Sequence, residues 1–414
     1  MIGYPEAWHR LSEGVVRLPN EHVGLADAAG RVTGCEIVSS RALPPFDNAA
    51  MDGVGLVTQG MGAPANSQWR IGGRIGAGDV AQAVDGTAWE IMTGAPLPQG
   101  VDSVVPYERI EQLPEDGEVS GIHVRLLSDS QPGANIRRRG EDVQEGHVLL
   151  PRGALVETGG LMLLAGAGID LLTAVRRPRV ALIGTGREIL VAGSPLRAGS
   201  IHDATSPYLV AAAAAAGAEM IQVFQVADDE AAFHAAVDAV AGDVDLVIST
   251  GAVSKGCYDF VPSALNARGA DILFHGVAIR PGKPVLAARL REGAVFLGLP
   301  GNPLSTAVGW RFFAEPLIRA WLGMASEEDR KLPLAAACDK RVGLHVFLHG
   351  TLQINEQGRL QACAAASQAS FRLVPFSRSR VWISVPSDAE CLEAGARVAV
   401  HSLGHLGALP WLHA

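Results

Sequence analysis

The chain has 414 residues, 48% of them apolar and 19% charged, with a formal net charge of −9. That length exceeds one ordinary core, so two to four folded domains are expected. The acidic balance excludes a general nucleic-acid binder, whose affinity would rest on a basic surface.

Five scattered cysteines, with no Cys-x-x-Cys pair, fit a reduced cytoplasm and speak against a zinc site or a disulfide framework. Residues 1–18 carry Glu6, His9, Arg10 and Glu13 without an apolar core, so they do not read as a signal peptide. Residues 43–141 hold short β-like runs at 89–92, 104–107 and 123–126, separated by Gly, Pro and acidic turns, which predicts a small β-rich module. The apolar run 161–175 is too short to span a bilayer and contains Asp170.

From residue 179 onward, apolar runs alternate with helical segments. Residues 180–183 form a short strand that breaks at Gly184-Thr-Gly186. Ser206 and Pro207 make a cap and first-turn pair for a helix that Gly217 closes, and the alanine tract 211–216 packs within it. Residues 220–226 are strand-like, and Asp228 or Asp229 caps a helix to about Ala241. Residues 245–249 are another buried strand, Asp259 caps a helix toward Arg268, and 272–279 resumes a strand. Two further strands over 285–290 and 295–299 precede a long amphipathic helix over 304–322.

This alternation predicts a Rossmann-like α/β domain, a mostly parallel sheet with helices on both faces. After a charged linker at 326–331, short runs such as 346–348 and 381–385 predict a small C-terminal β-barrel or sandwich. The fold class is an α/β and β multidomain protein.

Five Gly- and Pro-rich loops punctuate this order: Phe46-Asp-Asn-Ala-Ala-Met-Asp-Gly53, Ile91-Met-Thr-Gly-Ala-Pro-Leu-Pro98, Gly251-Ala-Val-Ser-Lys-Gly-Cys-Tyr-Asp259, Pro281-Gly-Lys-Pro284 and Leu299-Pro-Gly-Asn-Pro303. Such loops bring backbone N–H groups, a carboxylate or a lysine close to an anion. In doubly wound sheets ligands bind beyond the carboxyl ends of the strands. That places Gly251 and Ser254, and Pro300, Gly301, Asn302 and Pro303, at one substrate-binding rim.

Glu188, Asp228 and Asp259, gathered there, would make a hard oxygen site for Mg²⁺, which takes one or two carboxylates plus substrate phosphate. Taken singly, Asp228 and Asp259 also read as helix caps. Lys283 on its stiff loop, with Arg280 just before it, forms either a basic clamp for phosphate or an oxoanion or a solvated turn. Asp52 sits in a Met-Asp-Gly turn, and Thr93 offers a hydroxyl at the end of an apolar run. The run Arg137-Arg138-Arg139 reads as a solvated face, and Cys257 has no histidine beside it.

Taken together, the loops resemble the molybdopterin molybdenumtransferase family, MoeA in bacteria and the E domain of gephyrin in animals. Phe46-Asp-Asn-Ala-Ala-Met-Asp-Gly53, Met92-Thr-Gly-Ala-Pro-Leu-Pro98, Gly140-Glu-Asp142, Pro281-Gly-Lys-Pro284 and Leu299-Pro-Gly-Asn-Pro-Leu-Ser305 fall in that family's order. The resemblance implies an elongated N-terminal part (1–42 with 142–176), an inserted β-rich part (43–141), a molybdopterin-binding α/β part (177–324) and a C-terminal β part (325–414). It implies a cytoplasmic homodimer whose site is shared between chains. The implied reaction inserts molybdenum from molybdate into adenylylated molybdopterin with release of AMP, and it needs Mg²⁺. A molybdopterin adenylyltransferase is the implied pathway partner, with neither nucleic acid nor membrane involved.

By motif position, Asp52 and Thr93 are the inserted part's catalytic contribution. Glu188, Asp228 and Asp259 are the catalytic and metal-holding cluster, and Arg280 and Lys283 hold the anionic substrate. The chain departs from the pattern at Arg187, where the family usually has an acid, and at Ala49, Val54, Ala252 and Thr205. The alternative these departures leave open is an atypical or weakly active paralogue that acts as a molybdopterin-binding carrier or scaffold.

Overall fold

The computed structural model describes residues 1–80, 88–114, 121–253, 260–340 and 342–407. Its centre is a six-stranded sheet ordered Glu219–Val226, Arg179–Thr185, Leu246–Thr250, Val295–Leu299, Leu286–Arg289 and Asp271–His275. The first four strands run parallel, whereas the last two pair antiparallel. The sheet is therefore mixed at this edge. A tight turn over residues 290–294, closed by the Leu290 N–H on the Ala294 carbonyl at 2.9 Å, returns the chain as a hairpin, and hairpins reverse strand direction.

Val180 and Leu182 face one layer while Ala181 and Ile183 face the other, and all four are buried. A strand covered on both faces needs no polar alternation, which is why these segments read as unbroken apolar runs. Phe233, Val237 and Leu265, from the helices Glu230–Asp238 and Val261–Ala267, fill one layer. Leu209 of the helix Thr205–Ala215 belongs to the other. Each such leucine contributes about 1.5–3 kcal/mol relative to exposure.

Several boundaries move. The helix assigned to a Ser206 cap starts at Thr205. The Asp203 carboxylate accepts the Thr205 and Ser206 N–H groups at 2.9 and 3.0 Å, and Ser206 is buried inside the first turn. Asp229, not Asp228, caps the next helix by accepting the Ala231 N–H at 2.8 Å, and that helix ends at Asp238. The following helix has Phe260 at its cap position; Asp259 lies outside the described residues. The apolar run 161–175 divides into the helix Thr158–Gly166 and the strand Leu171–Val175. Among the described residues no helix is long and apolar enough to cross a membrane.

The expected amphipathic helix over 304–322 is three consecutive segments, the α-helix Pro303–Gly309, the π-turn Trp310–Ala314 and the α-helix Glu315–Trp321. It is buried on nearly every side. The polar face never materialises because the C-terminal barrel covers it, with Phe312 stacked on Phe347 at 3.8 Å. Pro316 lacks the N–H that an α-helix would direct at the Phe312 carbonyl, and the Tyr4 hydroxyl donates to that oxygen at 3.2 Å instead. Glu315, only 2% exposed, accepts the Trp310 indole N–H at 2.7 Å and the His405 N–H at 3.0 Å. It also lies 3.3 Å from Arg311 Nε. Arg311 holds Glu327 through Nη2 at 2.6 and 2.7 Å. Burial pushes the Glu315 carboxyl up to about 7 against the pull of Arg311.

A second six-stranded sheet is ordered Ser103–Pro106, Gly53–Leu56, Ala88–Ile91, Gln68–Ile75, His123–Leu126 and Ile110–Leu113. At Gly53 any side chain would overlap the Val105 carbonyl oxygen of the adjacent strand. Short ribbons join segments that precede this sheet to segments that follow it: Asn20–Gly24 with Leu171–Val175, Ile37–Val38 with Val148–Leu150, and Asn48–Ala49 with Ile136–Arg137.

The C-terminal strands Arg330–Pro333, His345–Ile354, Leu360–Ala364, Val381–Val385 and Arg397–Ser402 form a third sheet. It closes on itself where Leu334 bridges Ala362 and the Ala335 N–H reaches the Ala362 carbonyl at 2.8 Å. The strand expected over 272–279 stops at His275, and Ile279–Arg280 pairs instead with His345 and Val346 of this barrel. The central unit thus lends the barrel a strand.

Candidate active site

Three parallel strands deliver their carboxyl ends to one edge. After Thr185 the chain turns at Gly186, whose φ of 136 favours glycine, and presents Arg187 and Glu188. After Thr250 it turns at Gly251, φ 89, where a Cβ would sit 2.6 Å from Thr185 Oγ1. The Thr185 hydroxyl donates to the Thr250 carbonyl at 2.9 Å, and the Gly251 N–H donates to the Leu299 carbonyl at 3.0 Å. After Leu299, the Thr306 hydroxyl donates to the Pro300 carbonyl at 2.6 Å and fixes the Pro300–Pro303 turn. The turns touch: a Cβ on Gly301 would lie 3.7 Å from Gly251 Cα.

Between these turns lies a cleft of about 680 Å³. Of the expected residues, Glu188, Asp228, Gly251, Gly301 and Asn302 line it together. Both carboxylates are exposed. Asp228 accepts the Arg187 N–H at 3.4 Å, and with Asp229 as the helix cap no other hydrogen bond from the described residues occupies its lone pairs. Ser254 and Asp259 lie outside the described residues. Among the described residues no three His, Cys, Asp or Glu side chains gather closely enough to hold a metal ion, so the expected three-carboxylate set is described for Glu188 and Asp228 alone.

Asp203 and Thr205 also line the cleft, although the sequence pointed to them only as a departure from a motif. Burial raises the Asp203 pKa, but the hydrogen bonds it accepts from Ser206 and Thr205 outweigh that and hold the carboxylate below its usual range. It is already spent on the helix N-terminus.

Lys283 and Arg280 are exposed and do not line the cleft. Their loop nonetheless abuts it: at Gly282, φ 102, a Cβ would lie 3.5 Å from the Ser305 carbonyl oxygen, in the helix that begins at the Pro300–Pro303 turn. Arg280 lines a smaller cavity of about 170 Å³ with Cys338, Lys340 and Gln368 at the barrel seam.

Asp52 and Thr93 meet on the inserted sheet and are not part of the cleft wall. The Thr93 N–H and hydroxyl both donate to Asp52 Oδ1, at 2.6 and 2.9 Å. These bonds, the N–H first, hold the Asp52 carboxyl below its usual range. Sequence reasoning missed their neighbour Glu90, which accepts the Tyr107 hydroxyl at 2.6 Å and Arg74 Nε at 2.7 Å. Strand register places Arg74 opposite Glu90, a pairing that no local pattern announces.

Comparison with known proteins follows the same division of the chain. Residues 2–168 match the MoeA N-terminal region (domain I and II), and residues 181–320 match a probable molybdopterin binding domain. The chain is 33% identical over 393 residues to a molybdopterin molybdenumtransferase of Haemophilus influenzae, covering 93% of this chain and 94% of that one. It is 34% identical to one of Synechococcus elongatus, covering 97% and 100%. Among solved structures, the molybdopterin biosynthesis MoeA protein of Pyrococcus horikoshii superposes with a TM-score of 0.78 at 25% identity, covering 97% of this chain and 99% of that one.

Proposed function

The chain belongs to the molybdopterin molybdenumtransferase family, enzymes of molybdenum cofactor biosynthesis, and from that premise we propose that its cleft transfers molybdenum from molybdate to adenylylated molybdopterin with release of AMP. The observation that carries this reading is the meeting of three glycine turns with two exposed carboxylates at one sheet edge. Glycine turns let backbone N–H groups approach phosphate closely. The cleft volume of about 680 Å³ falls within the range of roughly 300–1,000 Å³ usual for cofactor-sized ligands.

Glu188 and Asp228 fit a magnesium ion, because both offer exposed oxygen donors in the cleft and neither is spent as a helix cap. Glu188 and Asp228 would hold such an ion, which would supply charge neutralisation at the phosphate. The chain's own contribution is positioning. The Gly251 and Gly301 turns cradle the substrate, with the rest of the Pro300–Pro303 turn beside them, and motif position assigns Ser254 to the same substrate. Motif position assigns Asp259 the role of orienting the attacking oxygen, while Lys283 and Arg280 supply positive charge toward the molybdate or phosphate.

Asp52 and Thr93 complete the site from a second copy of the chain, in a cytoplasmic homodimer supplied by a molybdopterin adenylyltransferase. Because the Thr93 bonds favour the ionised form, Asp52 acts there as a hydrogen-bond acceptor rather than a proton donor.

The test is AMP release from adenylylated molybdopterin with Mg²⁺, with and without molybdate. Molybdate-dependent release, with a product that reconstitutes a cofactor-free molybdenum enzyme, is the expected result. Tight binding without release assigns the chain a carrier role, and absence of both binding and release refutes the reading.

A further inference from the structure

Arg187 is the one base among the described residues that line the cleft, where it stands with three acids, Glu188, Asp203 and Asp228. Asp203 is spent on the helix N-terminus, which leaves Glu188 and Asp228 facing whatever enters. A phosphate or molybdate arriving beside two carboxylates is repelled unless a positive charge stands among them. A divalent cation is one source of that charge, and a guanidinium is another.

The turn that carries Arg187 is pinned at both ends. The Gly186 N–H donates to the Val226 carbonyl at 3.3 Å, and the Ile189 N–H closes the turn on the Gly186 carbonyl at 3.2 Å. The Glu188 carbonyl accepts the Ile201 N–H at 2.9 Å, and the Arg187 N–H donates to Asp228 Oδ2 at 3.4 Å. Glu188 folds back over the same turn, so that a Cβ on Gly186 would lie 2.8 Å from its Oε2. The Arg187 backbone is thus fixed beside both carboxylates, while the residue is exposed in the cleft.

A lysine offers an oxoanion a point charge, whereas a guanidinium offers a planar fork of donors that meets two oxygens of one tetrahedral oxoanion at once. Lys283 and Arg280 do not line the cleft, so Arg187 is the base that the described part of its wall presents to an anion. Because its turn is already held, only the side chain has to be ordered when the anion arrives, which lowers the cost of binding.

We propose that Arg187 is a binding and specificity residue for the tetrahedral oxoanion of the reaction, molybdate or the substrate phosphate. It supplies there part of the positive charge that a magnesium ion would otherwise bring, so oxoanion binding by this chain depends only weakly on Mg²⁺. This role rests on the cleft being the site of molybdenum transfer proposed above. It makes the residue that departs from the family's pattern the cleft's own counter-ion.

The test is equilibrium dialysis of the full chain against molybdate and, in parallel, against AMP, each with a chelator and with added Mg²⁺. At least one of the two anions should bind saturably in chelator, and Mg²⁺ should tighten that binding by less than about threefold. Arg187→Gln should weaken it at least about tenfold, the scale of one charge-assisted hydrogen bond. Arg187→Asp should remove binding in chelator and regain at least about tenfold in affinity when Mg²⁺ is added, and it decides the matter should Arg187→Gln fail to fold. A loss confined to molybdate assigns Arg187 to the metal oxoanion, and a loss confined to AMP assigns it to the phosphate. No saturable binding of either anion in chelator, undiminished binding in either folded variant, or the same Mg²⁺ dependence in the parent chain and Arg187→Asp overturns the role. No turnover enters these measurements. Failure of AMP release with this pattern intact would refute the reaction and leave the anion site, whereas AMP release with unchanged binding in the variants would refute only the role of Arg187.

Discussion

Asp228 and Glu315 belong to the same central unit, yet their surroundings are opposite. Asp228 is exposed at the end of a strand and, among the described residues, has one long hydrogen bond from Arg187 at 3.4 Å. Glu315 is buried against Arg311 with the Trp310 and His405 N–H groups on its two oxygens. A carboxylate whose lone pairs the fold has consumed can hold structure but has nothing left for a ligand. A carboxylate left in water at a strand end keeps its oxygens for a cation or substrate. The functional group is a carboxylate in both regions; the partners decide the role.

The largest expected effect falls on the buried member. Glu315→Ala leaves the buried Trp310 and His405 N–H groups without their acceptor and takes from Arg311 one of its two carboxylates, and it should destabilise the chain by about 3–5 kcal/mol, read from chemical denaturation. A loss below about 1 kcal/mol, the scale of an exposed pair, would erase the distinction. At the cleft, Asp228→Asn should lower molybdate-dependent AMP release by about 100-fold with an unchanged denaturation midpoint. A shifted midpoint with normal turnover would make Asp228 structural too.

The pH dependence sharpens the contrast. Glu315 titrates at about 7 in the fold, so the fold favours its protonated form. Its contribution is whole below the ordinary value of 4.5 and is lost as pH rises to about 7. His405, pushed down to about 4 by burial, acts in the other direction, losing its contribution as pH falls below about 6.5. The stability difference between the parent chain and Glu315→Gln therefore isolates the carboxyl. It should narrow as pH rises from about 4.5 to about 7, and a difference constant with pH contradicts the burial argument.

The smallest expected effect compares two adjacent acids. Asp229→Ala should cost about 1 kcal/mol by removing a helix cap and leave AMP release intact, the mirror image of Asp228→Asn. Exchange of these two outcomes would exchange the two assignments.

The doubly covered strands at 180–183, 246–249 and 295–299 were readable because burial on both faces leaves an uninterrupted apolar run. The rim was readable because glycine is required where strands turn sharply beside one another, as at Gly186 and Gly251. The helix at 304–322 was misread because its outer face is covered by a barrel encoded later in the chain, and no local periodicity carries that information. Asp228 and Asp229 were not separable, since either fits a cap and only backbone geometry chooses between them. Glu315 went unnoticed for the same reason as the helix: its partners Trp310 and Arg311 are local, but His405 and the burial that gives the group its character are not.

The strand Ile279–Arg280 has a consequence for recombination. Its pairing with His345 and Val346 immediately precedes the Pro281-Gly-Lys-Pro284 loop, so one short seam aligns the barrel and the lysine-bearing loop together. A chimera that grafts a foreign barrel onto this chain would have to match that seam or shift the loop. Swaps cut at the linker after the Glu315–Trp321 helix should thus succeed only between parents whose barrels accept the same borrowed strand.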